Sequence, residues 1–140
     1  MICAALDLLD CAHPDPAPDD LVAAMRASVD LLGVHALAEL SVPFVPHGHT
    51  VVMVLAESHL TVSTWPEYRM VQIDLVTCRA DTDPQKALRP VVELLDAGDV
   101  RVQRVQRVDP RLGNGGTSDR PRTGVLNTLH DPVGAVPPRG

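Results

Sequence analysis

Glu57-Ser58-His59 sets a carboxylate, a hydroxyl and an imidazole side by side, and a thiol follows at Cys78, twenty positions after the serine. Taken alone, such a triplet reads as a plain turn, and a lone cysteine at the end of an apolar strand is most often a small buried hydrophobe. Their chemical weight therefore rests on the residues around them. His47 and His49 would suggest a metal pair if a third ligand converged on them. None is evident in the sequence, so they read as part of a loop near the site and no metal is expected. Arg101, Arg104, Arg107 and Arg111 would share one helical face, which is read as a solvated face rather than a docking surface for an acidic partner.

These groups need strands and turns to hold them. Ile2 to Leu9 is an apolar run of strand length, closed by the turn-rich segment from Asp10 to Pro16. Asp19 is expected to cap a helix in which Leu21, Met25, Val29 and Leu32 recur at helical spacing, with Gly33 as its stop. Ala36 to Phe44 and Thr50 to Ala56 read as two strands of a hairpin, joined by Val45-Pro46-His47-Gly48-His49. After the Glu57-Ser58-His59 turn, Leu60 to Thr64 continues extended, Trp65-Pro66-Glu67 is a break, and Arg69 to Thr77 alternates as a further strand. Asp83 as cap and Pro84 at the first helical position begin a second helix running to Ala97-Gly98, kinked at Pro90. Val100 to Val108 fits either a strand or a helix, and the strand is preferred.

The order β-α-β-β-β-β-α-β implies an α/β protein: a two-layer α/β sandwich with a mostly antiparallel sheet and two helices on one face. The other face would be free to pack against a partner. Residues 110–140 are rich in Gly and Pro without periodic apolar positions, and are expected to be a disordered tail beyond a single domain at 1–109.

The chain has 140 residues with 45% hydrophobic but only 2% aromatic side chains, so the core must be built from Leu, Val and Ala. A net charge of -6 argues against nucleic-acid binding, which needs clustered Lys and Arg. Cys3, Cys11 and Cys78 have no paired spacing, so a reducing cytoplasm is expected. The longest apolar stretch, Thr50 to Ala56, is far short of the roughly 20 residues that span a bilayer, and the N-terminus lacks a basic leader, so neither membrane nor export is expected.

Ala56-Glu57-Ser58-His59-Leu60-Thr61-Val62-Ser63-Thr64-Trp65-Pro66-Glu67-Tyr68, followed by Asp74-Leu75-Val76-Thr77-Cys78 and Asp83-Pro84-Gln85-Lys86-Ala87, resembles the prokaryotic S-adenosylmethionine decarboxylase proenzymes. Phe44-Val45-Pro46-His47-Gly48 matches a further element of that pattern. The resemblance covers about residues 1–97 and is densest from 43 to 87. It implies that the Ser58 hydroxyl attacks the Glu57 carbonyl to form an ester, that elimination collapses the ester to dehydroalanine, and that hydrolysis of the dehydroalanine, with loss of ammonia, leaves a pyruvoyl group at residue 58. Such a group supplies the electrophilic carbonyl that a peptide lacks, forming a Schiff base and accepting the electrons released with carbon dioxide. It further implies Cys78 as the acid that reprotonates the product, Glu67 as acceptor for ribose hydroxyls, and Phe44 and Trp65 either as a wall for adenine or as core packing. The product would be the aminopropyl donor for spermidine synthesis, and small protomers of the family pair to complete their sites, so a homodimer or a homologous partner subunit is expected.

The family pattern has histidine five positions after the cleavage serine, where this chain has Ser63, and serine eight positions before it, where this chain has Thr50. In the family that histidine abstracts the proton that collapses the ester. A serine cannot accept a proton near neutral pH, whereas imidazole titrates close to it. Cys3 and Ala4 also stand where a first-strand histidine is common. Three outcomes are open. His59, His47 or His49 supplies the base, although a regular strand would turn His59 away from Ser58. Alternatively, the processed enzyme decarboxylates arginine or ornithine, or the chain is an unprocessed pseudoenzyme that partners an active homologue.

Overall fold

The computed structural model describes residues 1–79 and 81–107. The tail expected at 110–140 lies outside the described residues. The described strands form one sheet: β1 Ile2–Leu9, β2 Ala36–Pro43, β3 His49–Leu55, β4 Ser58–Trp65, β5 Met70–Thr77 and β6 Asp99–Arg104. Their order across the sheet is β2-β3-β4-β5-β1-β6, and every neighbouring pair is antiparallel. The helices are α1 Pro18–Leu32, α2 Pro84–Ala87 and α3 Arg89–Leu95. This is the two-layer α/β sandwich that the sequence implies, with all helices on one face.

Alternation along the strands explains which face they cover. In β1, Ile2, Ala4, Leu6 and Leu8 are buried, while Cys3, Ala5, Asp7 and Leu9 are only partly so. The same two-residue period buries Val51, Met53 and Leu55 of β3, Leu60 and Val62 of β4, and Val71, Ile73 and Leu75 of β5. These side chains meet Leu21, Met25, Val29 and Leu32 of α1 and Leu88, Val91 and Leu95 around α3 in one cluster. Each fully buried Leu or Val contributes about 1.5–3 kcal/mol, so this cluster is what holds the layers together.

Several boundaries differ from the sequence reading. Asp19 does not cap α1; the helix starts at Pro18 after Ala17, which makes no side-chain cap, and Asp19 lies in the first turn. Proline is favoured at that first position because its missing N–H costs nothing there, and the start lies two residues earlier than a cap at Asp19 would place it. Gly33 does end α1, in a left-handed conformation with φ 67°. Asp83 caps α2 as expected, its Oδ1 accepting from the Gln85 N–H at 3.1 Å. The second helix is broken rather than kinked: α2 stops at Ala87 and α3 begins after Leu88, with Pro90 in its first turn. Strand β4 starts at Ser58, two residues before Leu60. Among the described residues no helix is long and apolar enough to cross a membrane.

Candidate active site

The expected site residues divide into two groups, one at each end of β4. At its start, β3 passes into β4 through the short turn at Ala56 and Glu57, which is tied down where the Ala56 N–H donates to the His35 carbonyl at 2.9 Å. Strand β5 runs antiparallel to β4 with Val76 opposite His59. Cys78, just past the end of β5, therefore comes level with Glu57, and its thiol donates to the Glu57 carbonyl oxygen at 3.7 Å. The expected proton donor thus touches the carbonyl of the expected scissile bond, although 21 residues separate them.

Ser58 has a φ of 153°, in the region that favours glycine. The Ser58 Oγ lies 3.5 Å from Nδ1 of the adjacent His59. His59 thus comes within reach of Ser58 although regular strand neighbours point to opposite faces. Glu57, His59 and Cys78 are exposed, and Ser58 is half-buried.

At the other end of β4, the loop from Phe44 to Gly48 is closed by the Phe44 N–H donating to the Gly48 carbonyl at 2.7 Å. Gly48 has φ 86°, and a Cβ there would stand 2.8 Å from the Thr64 carbonyl oxygen. Only glycine lets the loop lie this close to β4. Phe44 is thereby stacked against Trp65, with ring centroids 5.6 Å apart and tilted by 36°. Glu67 follows in the single 3-10 turn Pro66–Tyr68, and its Oε2 lies 3.5 Å from His47 Nε2. Arg69 anchors that turn to the loop after β1: its Nε donates to the Cys11 carbonyl at 3.1 Å, and its own carbonyl accepts from the Cys11 N–H at 3.0 Å. Thr50 and Ser63 are cross-strand partners, and their hydroxyls are hydrogen-bonded to each other at 2.8 Å.

The two histidines of the loop do not converge on a metal. His47 reaches Glu67 at the surface, whereas His49 is buried, with its backbone N–H on the Thr64 hydroxyl at 2.9 Å. Burial pushes the His49 pKa down, against a smaller opposing pull from Asp15. Its Nε2, like the Trp65 Nε1, is buried without a partner among the described residues. The pairing of His47 with Glu67 was not foreseen from sequence. The signal was the hairpin register, which carries the loop before β3 and the turn after β4 to the same end of the sheet.

Ser58 and Ser63 stand five positions apart on one extended strand, so roughly 16 Å separates them at about 3.3 Å per residue. Within one chain the groups at the two ends of β4 do not meet. Between them lies the sheet face that no helix among the described residues covers, carrying Ala5, Asp74, Thr61, Val52 and Leu40 in one cross-strand row. Leu40, Val42 and Val54 are strongly exposed on it.

Residues 3–108 match the family model described as S-adenosylmethionine decarboxylase. The chain is 38% identical over 80 residues to an S-adenosylmethionine decarboxylase proenzyme 2 of Bacillus anthracis, covering 57% of this chain and 65% of that one. It is 40% identical over 75 residues to an arginine decarboxylase proenzyme of Ignicoccus hospitalis, covering 53% and 52% respectively. The chain thus spans between half and two thirds of these curated relatives. Its fold matches the crystal structure of the adenosylmethionine decarboxylase from Aquifex aeolicus with a TM-score of 0.66, at 23% identity, over 76% of this chain and 88% of that one.

Proposed function

Because the chain belongs to the S-adenosylmethionine decarboxylase family, we propose that it cuts itself between Glu57 and Ser58 and then decarboxylates S-adenosylmethionine to the aminopropyl donor for spermidine synthesis. The contact that carries this reading is the Cys78 thiol on the Glu57 carbonyl oxygen. It sets an acid against the bond to be cut and leaves that acid beside residue 58 once the bond is gone. The half-buried Ser58 hydroxyl, on a bent backbone at the mouth of a turn, suits conversion to a pyruvoyl group. When present, that group supplies the electron sink for loss of carbon dioxide. The chain's own residues do the rest: Cys78 returns a proton to the product, Glu67 accepts from the ribose hydroxyls, and Phe44 and Trp65 offer an apolar wall to adenine.

The separation of the two ends of β4 has a consequence for assembly. One substrate cannot touch Glu67 and residue 58 of the same chain. A second copy docked on the open sheet face about a two-fold axis would set the Ser58 end of one β4 against the Glu67 end of the other, completing two equivalent sites. Exposed Leu40, Val42 and Val54 support burial of that face in a homodimer.

A second reading has its own support in the arginine decarboxylase relative of Ignicoccus hospitalis. Glu67 favours the ribose-bearing substrate, because a simple amino acid has no hydroxyls for it to bind. The third, an unprocessed partner subunit, rests on Ser63, whose hydroxyl is engaged by Thr50. Carbon dioxide release from S-adenosylmethionine, arginine and ornithine decides among them. The proposed function predicts release from S-adenosylmethionine alone, abolished in Ser58→Ala. Release from arginine or ornithine alone would move the substrate assignment, and activity that survives Ser58→Ala would overturn the pyruvoyl mechanism.

A further inference from the structure

The ester must form before it can collapse, and the geometry points to His59 as the catalytic residue that takes the Ser58 hydroxyl proton during ester formation, a step separate from the proton abstraction assigned to an imidazole at position 63. This rests on the self-cleavage proposed above and adds the group that starts it. Three observations carry it. The Ser58 Oγ is 3.5 Å from His59 Nδ1, within reach of a proton transfer as the side chains close up. Within one chain the loop imidazoles stand at the far end of β4, His47 on Glu67 at the surface and His49 buried. Ser63 stands roughly 16 Å along the same strand, with its hydroxyl on Thr50.

The step balances without a co-reactant. His59 Nδ1, in the tautomer that leaves it unprotonated, takes the proton as the Oγ bonds to the Glu57 carbonyl carbon. The bond from that carbon to the Ser58 nitrogen then breaks, and the imidazolium returns the proton to the departing amine. The product is an ester with a free amine on residue 58, and nothing is oxidised or reduced. The strained φ at Ser58 favours this direction, because breaking that peptide bond releases the constraint. His59 lines a shallow cavity of about 380 Å³ on the open sheet face, together with Asp74 of β5, Cys3 of β1 and Arg107 beyond β6. Among the described residues these are the other titratable and charged groups lining that cavity, while Cys78 lies on the Glu57 carbonyl next to Ser58.

Hydroxylamine separates ester formation from everything later. It cleaves the ester at the Glu57 carbonyl, giving fragment 1–57 ending in a hydroxamate and a second fragment beginning with an intact serine, both resolved by mass. Freshly synthesised full-length chain, His59→Gln and His59→Ala are compared at one fixed pH. His59→Gln should lower the ester rate by about 100-fold or more. Added imidazole should partly restore His59→Ala, which a merely structural role would not permit. Ester formation at the unmodified rate in both variants, or an imidazole-insensitive loss in His59→Ala, would overturn the assignment of His59. If the unmodified chain yields neither ester nor fragments, self-cleavage itself fails and the inference falls with it.

Discussion

Gly48→Ala tests whether the loop carrying Phe44 and His47 is held against β4 as tightly as the structure shows. The new Cβ would face two separate penalties. At φ 86° a side chain is disfavoured whatever the space, at about 1–2 kcal/mol. It would also stand 2.8 Å from the Thr64 carbonyl oxygen, 3.1 Å from Pro66 Cδ and 3.3 Å from Phe44 Cδ2. Backbone cannot yield as a flexible side chain does, so overpacking adds about 1–3 kcal/mol. The sum is about 2–5 kcal/mol, unless the loop peels away and shifts the penalty onto the Phe44–Trp65 and His47–Glu67 contacts. At about 4–8 °C per kcal/mol for a domain of this size, Tm should fall by at least about 8 °C. Thermal unfolding is best followed in a Ser58→Ala background, which keeps the chain in one piece. In the processed protein, the KM for S-adenosylmethionine should rise as the aromatic wall is displaced. A Tm within about 2 °C of the parent, with KM unchanged, would refute the close approach of loop and strand.

Ser58→Gly should be more stable than Ser58→Ala by about 1 kcal/mol in chemical denaturation, since only glycine adopts a φ of 153° without strain; equal stabilities would remove that strain from the account. Burial lowers the His49 pKa in the folded state, so as pH falls through about 6.5 the unfolded chain takes up a proton that the folded chain resists. Stability above that pH is therefore lost below it, and the urea midpoint should drop more between pH 7.5 and 5.5 in the parent than in His49→Met; identical drops would contradict a buried neutral imidazole. Glu67→Gln should raise KM for S-adenosylmethionine by roughly tenfold or more through loss of charge-assisted hydrogen bonds, with cleavage at Glu57-Ser58 retained, as titration of initial rates would show.

Much of the fold was legible because the apolar pattern is strictly periodic where the sheet is covered on one side. The Ile2–Leu9 strand has the bounds that alternation assigns, and the hairpin of β2 and β3 pairs as its Pro-Gly loop implies. Less legible were features set by single backbone angles. The start of α1 was displaced because Pro18 competes with Asp19 for the helix entry, and the second helix breaks because residues around Pro90 restart a helix instead of bending one. The composition of the candidate site was readable from motifs, yet its division was not. The five positions from Ser58 to Ser63 span about 7.5 Å along a helix but roughly 16 Å along a strand, and only the extended β4 decides which applies. The contact of His59 with Ser58 was hidden because it is set by local torsion angles that residue types do not announce.

The mass of the intact purified chain tests the central claim most directly. Self-cleavage predicts two fragments parting between Glu57 and Ser58, the second with a blocked, keto-bearing N-terminus that reacts with a hydrazine. A single uncut species of 15.0 kDa, unreactive toward the hydrazine, would contradict it.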